Sequence, residues 1–320
     1  MSFWSGKNVL VTGGAGLTGH CAIQTLLDKG AIVRATQYHN RKIAITHKNL
    51  EIVDIDLNNY DECGRACKDI QYVVNTVAFI MGGKGQTENP MALIRSNLNP
   101  SVNMIEAACK MGVERFGFIG SSTSYLDRRE PIKEVDAFIE DPHACYFGVG
   151  WMKRYCEKLA MYYHKISKTK FAMIRSTALY GPHDNFADGK GHVIPDLIRK
   201  ASSRLDPFEI WGDGSQVRDF VYVQDLVDAL LITIEKYAVA DILNIATGNP
   251  TTVTELVQTV VDAFGYSPKF KYDPSKPIMI PYRMLDVSKA KDVLGWSAEV
   301  RLKDGIERTV EWFNQHVQNP

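Results

Sequence analysis

Residues 8–20, which read NVLVTGGAGLTGH, decide the fold of this chain. The run Asn8–Thr12 is rich in β-branched residues, which is typical of a buried parallel strand, and an apolar helical pattern follows over residues 21–27. Glycines stand between the two segments at positions 13, 14, 16 and 19. Glycine permits a tight turn and lets backbone N–H groups approach a pyrophosphate, which the positive end of a helix dipole also attracts. Strand, glycine turn and helix therefore predict a dinucleotide-binding loop, with a purely structural turn as the alternative.

The composition is that of an ordinary globular protein. The chain has 320 residues, 45% of them hydrophobic and 23% charged, and its 37 basic residues balance its 37 acidic ones. This balance gives no global field that would attract nucleic acid or an anionic membrane. No stretch reaches the roughly 18 apolar residues that a membrane span needs, and the first residues lack the apolar core of a signal peptide. We therefore expect a cytoplasmic protein that binds neither nucleic acid nor a membrane.

The cysteines indicate neither disulfides nor a metal site. They stand at positions 21, 63, 67, 109, 145 and 156, they form no C-x-x-C pair, and no histidine cluster accompanies them. Reduced thiols and no bound metal are therefore expected.

Short apolar runs alternate with helical patterns along the first half of the chain. Strands are predicted over residues 31–36, 51–57, 71–78, 115–119 and 171–176, and helices over 60–68, 89–112 and 142–164. This alternation predicts an α/β fold with a Rossmann-type, doubly wound parallel sheet.

The rhythm changes beyond residue 186. Helices are predicted there over residues 192–201, 225–235, 252–264 and 303–312, and short strands over 208–214 and 218–223. We expect a dinucleotide-binding domain over residues 1–180, with 215–248 returning to it. Most of 181–320 is expected to form a smaller α/β substrate-binding domain over the carboxyl ends of the strands, where open sheets bind ligands.

The end of the second predicted strand bears on the choice of cofactor. An Asp or Glu there would bind the ribose hydroxyls of NAD, but positions 36–38 read TQY. Arg34, His39 and Arg41 lie nearby and could meet the extra phosphate of NADP. The sequence therefore favours NADP slightly over NAD, with solvated surface charges as the alternative. Asp56 and Leu57, which end the third predicted strand, are candidates for the edge of the adenine.

Several motifs occur together in a characteristic order. They are TGGAGLTG at 12–19, GSSTSY at 120–125, LYGPHDNF at 179–186, HVIP at 192–195, WGDGSQVRDF at 211–220 and R-x-x-D-x-S-K-A at 283–290. With these motifs the chain resembles the extended short-chain dehydrogenase/reductase family of nucleotide-sugar epimerases, dehydratases and reductases, and within it the GDP-fucose-synthase-like enzymes. The resemblance implies a homodimer, paired through the predicted helix 89–112 and the helix after Val149. The implied cofactor-binding residues are Gly13, Gly16, Leu17, Gly19, Arg41, Asp56, Leu57, Ala78 and Lys153.

The resemblance also implies a catalytic Ser or Thr, and a Tyr and Lys spaced Y-x-x-x-K. Ser121 matches the first. One register keeps Tyr146 and loses the Lys; the other keeps Lys153, within an FG-x-x-x-x-KR…E pattern, and puts Val149 in the place of the Tyr. We favour the second register. Valine cannot transfer a proton. Another group would have to relay the proton instead, namely Tyr146 one turn earlier, Ser121, Thr123 or a water. The alternative for Tyr146 is an aromatic side chain that only packs at the start of the helix.

Two further positions narrow the reaction. The dehydratases of the family carry an Asp-Glu pair after the catalytic Ser or Thr, where this chain has Ser122-Thr123. GDP-fucose synthase has a Cys base two residues after the Ser, opposite a His; here that position is Thr123, although His192 remains. Elimination therefore lacks its acid–base pair, and 3,5-epimerisation lacks its cysteine base. The resemblance then implies hydride transfer at one carbon of a nucleotide sugar, most simply C4 of a GDP-sugar, by a dehydrogenase, reductase or C4-epimerase.

Two alternatives remain: a non-catalytic, dinucleotide-binding sensor or regulatory subunit of the same fold, and a dehydratase with relocated acid and base. The missing Tyr favours the sensor, whereas a retained substrate site favours the enzyme. The resemblance places Arg218 on the substrate pyrophosphate. The other candidates for substrate binding are Asn185, His192, Arg199, Trp211 and Arg283. For Trp211 the alternative is a core aromatic, for Asn185 a loop-fixing residue, and for His192 a residue that caps the following helix.

Overall fold

A computed structural model describes residues 2–39, 41–80, 89–187, 191–276 and 278–318. Seven strands form its central sheet, and every neighbouring pair runs parallel. The strands are β1 Asn8–Thr12, β2 Ile32–Gln37, β3 Leu50–Asp54, β4 Tyr72–Asn75, β5 Arg115–Ser121, β6 Lys170–Ser176 and, after four short strands, β11 Ile242–Ile245. Their order is β11-β6-β5-β4-β1-β2-β3. The Rossmann-type, doubly wound fold predicted from the sequence is confirmed.

Helices cover both faces of this sheet, because β1 alternates its apolar side chains between two cores. Val9 and Val11 pack with one set of helices, and Leu10 packs with the other. The first set includes α1 Leu17–Asp28 and, later in the chain, α6 Val223–Lys236; the second is α2 Tyr60–Cys67, α3 Pro90–Lys110 and α4 Phe147–Ile166. In the strand order, β2 and β3 follow on one side of β1, whereas β4, β5 and β6 follow on the other side. The connections that leave β1 and β4 therefore diverge, and open α/β sheets bind ligands in the crevice that this divergence leaves at the carboxyl ends of the strands.

The later part of the chain forms small sheets and helices. Its strands are β7 Ala178–Tyr180, β8 Phe208–Trp211, β9 Val217–Arg218, β10 Phe220–Tyr222, β12 Thr251–Thr252 and β13 Phe270–Asp273. They pair as β7 with β10, β8 with β13 and β9 with β12. The remaining helices are α5 Val193–Ser202, α7 Val253–Ala263, α8 Ser288–Leu294 and α9 Leu302–Phe313.

Several predicted boundaries differ from the structure: the strands predicted over 51–57 and 208–214 end at Asp54 and Trp211, and 218–223 is divided between β9, β10 and the start of α6. Two others differ for local reasons. The strand predicted over 71–78 ends at Asn75, because Asn75 and Thr76 turn to bond with Thr12 at the end of β1: the Thr12 hydroxyl donates to Asn75 Oδ1 at 2.7 Å and accepts from the Thr76 N–H at 3.1 Å. The helix predicted from residue 142 begins at Phe147. It follows a short 3₁₀ turn, Ala144–Tyr146, whose first free N–H is capped by His143.

Candidate active site

The glycines of the β1–α1 turn are required for different reasons. Gly13 has φ +66° and would bring a Cβ to 3.0 Å from Val77 Cα, and a Cβ on Gly19 would lie 2.2 Å from the Gly13 carbonyl oxygen. A Cβ on Gly16 would meet only that oxygen, at an ordinary 3.4 Å. Gly16 also precedes α1, and no side chain in the described residues caps this helix. An uncapped helix N-terminus with space beside it fits the pyrophosphate of NAD(P).

The basic residues near the ends of β2 and β3 are not equivalent. Arg34 lies on the third residue of β2, away from its carboxyl end; its guanidinium pairs with Glu51 at 2.7 Å and donates to the Lys68 carbonyl at 2.7 Å. The expectation that Arg34 could meet a ribose phosphate is therefore wrong. Arg41 is exposed and bridges by its backbone to Tyr38, beyond the end of β2.

The adenine candidates adjoin that end of the sheet. The Tyr38 hydroxyl donates to Asp56 Oδ2 at 3.2 Å, whereas Leu57 is buried. Ala78 follows β4, where the next residue, Phe79, exchanges two hydrogen bonds with the Asn97 side chain at 3.0 and 2.9 Å. Sequence reasoning missed Asn97, a buried amide on α3. A polar residue on the apolar face of a predicted helix was its only signal.

Ser121 and Lys153 both lie at the carboxyl end of β5. Ser121 ends the strand, and its Oγ accepts from the Thr123 hydroxyl at 3.0 Å and the Thr123 N–H at 3.2 Å. The Lys153 ammonium donates to the Ile119 carbonyl, two residues before Ser121, at 3.5 Å. Burial lowers the pKa of Lys153, partly offset by Cys156 and Glu157. Three of the predicted catalytic residues are thus brought together.

Tyr146 precedes α4 and has a distinct electrostatic environment. The groups that act on its phenol are Cys145, Arg218 and Arg283, and burial raises its pKa against the two cations. Val149, four residues before Lys153, packs partly buried against the core beneath α3 and α4. A catalytic role for Tyr146 in place of the missing phenol therefore stays a prediction.

Arg218 and Arg283 form a pair of partly desolvated cations beside Tyr146. Arg218 donates to the Val217 carbonyl at 2.9 Å and to the Ile280 carbonyl. Arg283, which is 4% exposed, donates to the carbonyls of Leu126 and Tyr125 at 2.9 and 3.3 Å. Burial lowers the pKa of both, that of Arg283 to about 10. Within the described residues their hydrogen-bond acceptors are carbonyls, so neither charge is neutralised by a bonded carboxylate and both suit an anion.

Trp211 is an exposed aromatic at the end of β8, with 45% of its surface accessible. Lys200 and Lys276 hold their ammonium groups 5.5 and 5.9 Å from the ring centroid. The alternative of a core aromatic is therefore wrong. Arg199 and Lys200 both pair with Asp196, at 2.8 and 2.9 Å, and Lys200 also lies over the tryptophan ring. Sequence reasoning missed Lys200, because no motif set it apart from the neighbouring Arg199.

His192 and Asn185 are held by the loop before α5. His192 Nδ1 lies 3.3 Å from Asp184 Oδ2. Burial lowers the pKa of His192, but its hydrogen bond and charge pairing with Asp184 outweigh this and the net pKa is raised. Asn185 Oδ1 accepts from the Ala187 N–H at 3.1 Å, a loop-fixing contact. His192 precedes α5 without capping it by its side chain.

His183, in the same loop as Asp184, joins two parts of the fold. Its ring stacks on His20 of α1 with centroids 3.4 Å apart and lies 4.6 Å from Trp312 of α9. Desolvation, and the neighbouring His20 and His316, lower the pKa of His183 to about 4. The stack therefore holds a neutral imidazole between the glycine-loop helix and the last helix.

A buried ionic network supports the floor of the site. Arg175 on β6 donates two hydrogen bonds to Glu157 on α4, at 2.9 and 2.7 Å, and is only 1% exposed to solvent. Its other nitrogen donates to the Tyr125 hydroxyl at 2.9 Å, and that hydroxyl donates to Asn244 Oδ1 on β11 at 2.5 Å. This network fixes α4, and with it Lys153, to the carboxyl ends of β6 and β11.

The fold and this arrangement of groups define a dinucleotide-binding α/β protein of the extended short-chain dehydrogenase/reductase type. The chain belongs to the NAD dependent epimerase/dehydratase family, whose model matches residues 9–246. It is 29% identical over 320 residues to a probable GDP-L-fucose synthase 1 of Oryza sativa subsp. japonica, covering 98% of this chain and 93% of that one. It is 30% identical over 323 residues to a dTDP-4-dehydro-6-deoxy-D-allose reductase of Streptomyces sp, covering 98% of each chain.

A solved structure agrees with this assignment. The structure of MoeE5 in complex with UDP-glucuronic acid and NAD is 29% identical in sequence, with a TM-score of 0.83, covering 97% of this chain and all of that one. Within the described residues, no helix is both long and apolar enough to cross a membrane. In the same part of the chain, no group of three or more His, Cys, Asp or Glu side chains could hold a metal ion.

Proposed function

We propose that this protein is an NAD(P)-dependent oxidoreductase that transfers a hydride at one carbon of a nucleotide sugar, most simply C4 of a GDP-sugar. It would act as a dehydrogenase, a reductase or a C4-epimerase. One observation carries the proposal: Ser121, Thr123 and Lys153 meet at the carboxyl end of β5. The glycine loop opens on the same edge of the sheet, and Arg218 and Arg283 lie beyond it. The relatives named as a GDP-L-fucose synthase and a deoxy-allose reductase support the substrate class.

The residues present divide the work as follows. NAD(P), when bound, supplies or accepts the hydride. Lys153 provides a cation for the ribose beside the nicotinamide, and its pKa, lowered by burial, eases proton exchange. The Ser121 hydroxyl binds the sugar oxygen at the reacting carbon, and the hydrogen bonds from Thr123 direct its own proton outward. With Val149 in the usual place of the Tyr, the proton passes through Ser121, Thr123, a water or the phenol of Tyr146.

The same residues limit the reaction. Ser122 and Thr123 carry no carboxylate to eliminate water, and a threonine hydroxyl has no usable base form near neutral pH. Proton removal from a sugar carbon therefore lacks its base at this position, and dehydration and 3,5-epimerisation are excluded from the proposal. His192, with its charge favoured by Asp184, is assigned to substrate hydrogen bonding.

The nucleotide end is assigned to the cationic groups beyond the strand ends. Arg218 and Arg283 bind the pyrophosphate, since both are desolvated and already fixed by carbonyls. Trp211, flanked by Lys200 and Lys276, offers an aromatic surface with two cations for the nucleoside and its phosphates. Asn185 and Arg199 then act indirectly: Asn185 holds the loop before α5, and Arg199 lies on α5, the helix that carries Lys200.

We further propose a cytoplasmic homodimer. α4 exposes a row of large apolar side chains toward solvent, namely Phe147, Trp151, Tyr155, Tyr162 and Ile166. A row of this kind along one helix is typical of a surface that pairs with its symmetry copy. The division of labour is proposed as residues 1–180 and 215–248 for the dinucleotide, and most of 181–320 for the nucleotide sugar. NADP or NAD would serve as cofactor, with the exposed Arg41 left as the basic residue that favours NADP.

A second candidate function is a dinucleotide-binding sensor without turnover. The observation that favours it is Val149, because the group that usually transfers the proton is absent. The pair Arg218 and Arg283 argues against it, since a sensor of dinucleotide has no use for a second anion site.

The test incubates the protein with GDP-sugars and NAD(P) in deuterated water and follows the products by NMR. We expect oxidation or reduction confined to one sugar carbon, lost in Lys153→Ala and retained in Lys165→Ala, a control on an exposed residue of the same helix. Deuterium at C3 or C5, or a 4-keto-6-deoxy product, would refute the proposed reaction. Cofactor binding without any sugar turnover would favour the sensor.

A further inference from the structure

A cysteine, a histidine and an aspartate outside the proposed catalytic group lie next to one another. Cys145 Sγ is 2.9 Å from His143 Nδ1, and His143 Nε2 is 3.8 Å from Asp127 Oδ2. All six cysteines lie in the described part of the chain, and Cys145 is the exposed one among them. The mechanism proposed above uses none of these three side chains.

The local backbone assigns the proton positions. The Cys145 N–H donates to His143 Nδ1 at 3.2 Å, so Nδ1 carries a lone pair and the ring hydrogen of the neutral imidazole lies on Nε2. Nδ1, which is 2.9 Å from Sγ, is therefore the nitrogen that can accept the thiol proton, giving up the bond from the Cys145 N–H, while Nε2 lies 3.8 Å from Asp127 Oδ2. A base in contact with the nucleophile, and oriented by a third group, is the pattern of an activated nucleophile.

The surroundings decide what a thiolate would experience there. Burial raises the pKa of the Cys145 thiol, Arg283 and Arg218 lower it, and Asp127 raises it. The thiol therefore stays protonated at neutral pH unless a base removes the proton during attack, and His143 is that base. The backbone N–H of His143 and the Arg283 guanidinium donate to the same Tyr125 carbonyl oxygen, at 3.1 and 3.3 Å, so the negative charge forms next to the segment that holds one of the arginines assigned to the pyrophosphate.

We propose that Cys145 is a base-activated thiol that undergoes exchange with small disulfides, and that its modification and anion binding at Arg218 and Arg283 exclude each other. The thiolate attacks one sulfur of the disulfide. An S–S bond forms to Cys145, the original S–S bond breaks, and the leaving thiolate takes the proton that His143 accepted. Cys145 is oxidised and the departing half is reduced, so no further oxidant is needed. The link to the pyrophosphate rests on the proposed function; the thiol chemistry does not.

The experiment measures the rate of thiol–disulfide exchange with dithiodipyridine, an uncharged disulfide, from the absorbance of the released thiopyridone. We expect one fast-reacting thiol that is lost in Cys145→Ser. His143→Asn should slow it about tenfold or more, because a general base contributes at least that much, while asparagine can still accept the N–H of residue 145. His47→Asn is the matched control, since His47 Nδ1 likewise accepts a backbone N–H two residues on, from Asn49 at 3.0 Å, but within the described residues it makes no hydrogen bond to a thiol.

Two outcomes would overturn the proposal. An unchanged exchange rate in His143→Asn would show that His143 is not the base. An unchanged exchange rate in saturating inorganic pyrophosphate would show that thiol modification is not coupled to anion binding at the arginines. If His143→Asn does not fold, the wild-type protein decides the matter: burial alone predicts a native thiol slower than the average thiol of the urea-unfolded chain, and base activation predicts a faster one. Because these rates need no cofactor or sugar, they stand whether or not hydride transfer is observed.

Discussion

The glycine loop allows a sharp separation between binding and folding. In Gly16→Val the new side chain extends from a residue with φ −91° and ψ 169°, a conformation that valine adopts readily. Its Cβ would meet only the Gly13 carbonyl oxygen at 3.4 Å. The fold should therefore survive, while the side chain occupies the space beside the uncapped N-terminus of α1.

The size of the effect follows from the hydrogen bonds at stake. A hydrogen bond to a charged group contributes about 1.5–3 kcal/mol. Keeping a pyrophosphate from two backbone N–H groups should therefore cost about 3–6 kcal/mol, which corresponds to roughly 10²–10⁴-fold weaker cofactor binding. We expect this loss for both NADH and NADPH, measured by calorimetric titration.

Two other glycines serve as controls. Gly19→Ala should lower the melting temperature, because its Cβ would lie 2.2 Å from the Gly13 carbonyl oxygen. Gly64→Ala, where a Cβ meets nothing within 4 Å, should leave both binding and folding intact. Wild-type cofactor affinity in a folded Gly16→Val protein would refute the assignment of the loop. Unfolding of Gly16→Val to the extent of Gly19→Ala would refute the reasoning about space.

Three further predictions concern catalysis, pH and assembly. Val149→Tyr should recover part of the roughly 10²–10⁴-fold that a general acid or base contributes, whereas Val149→Phe, which adds the ring without the hydroxyl, should not; initial rates with a GDP-sugar decide. The folded-state pKa of His183, about 4, lies below the free value of 6.5, so the unfolded chain binds more protons between these values and the free energy of unfolding falls as pH drops from 6.5 to 4. We expect a loss of about 2 kcal/mol, reduced in His183→Asn, which tolerates the φ of +66°; equal slopes for both proteins in denaturant titrations would contradict this. Tyr155→Glu, in the exposed row of α4, should convert a dimer to a monomer in light scattering, whereas Val239→Glu, on another exposed apolar residue, should not; a wild-type monomer would exclude the dimer.

Much of the fold could be predicted because its signals are local. The glycine turn and the alternation of apolar strands with amphipathic helices identify the sheet without any knowledge of distant contacts. The short strands of the later part were harder, since β9 and β12 have two residues each and show no periodicity. β13 pairs with β8 across 58 intervening residues, counted from Trp211 to Phe270, and only the folded chain brings them together.

The site was less predictable because side-chain direction decides it. Arg34 and Arg41 looked alike in the sequence, yet the register of β2 turns Arg34 toward Glu51. Resemblance identified Ser121 and Lys153, but could not show that the charges of Arg218 and Arg283 act on the Tyr146 phenol. The contact of Cys145 with His143 depends on a single 3₁₀ turn, which neither composition nor residue spacing predicts.

The placement of β11 has a practical consequence for dividing the molecule. This strand is contributed by residues 242–245, yet it pairs along the outer edge of β6, within the sheet that the first half of the chain begins. A fragment ending near residue 180 would leave the β6 edge without a partner, and bare strand edges recruit other chains. Such a fragment should aggregate and precipitate, whereas a circular permutant that keeps β6 and β11 in one polypeptide should not aggregate. Physical cutting therefore cannot isolate the dinucleotide half, and its stability has to be measured in the intact chain.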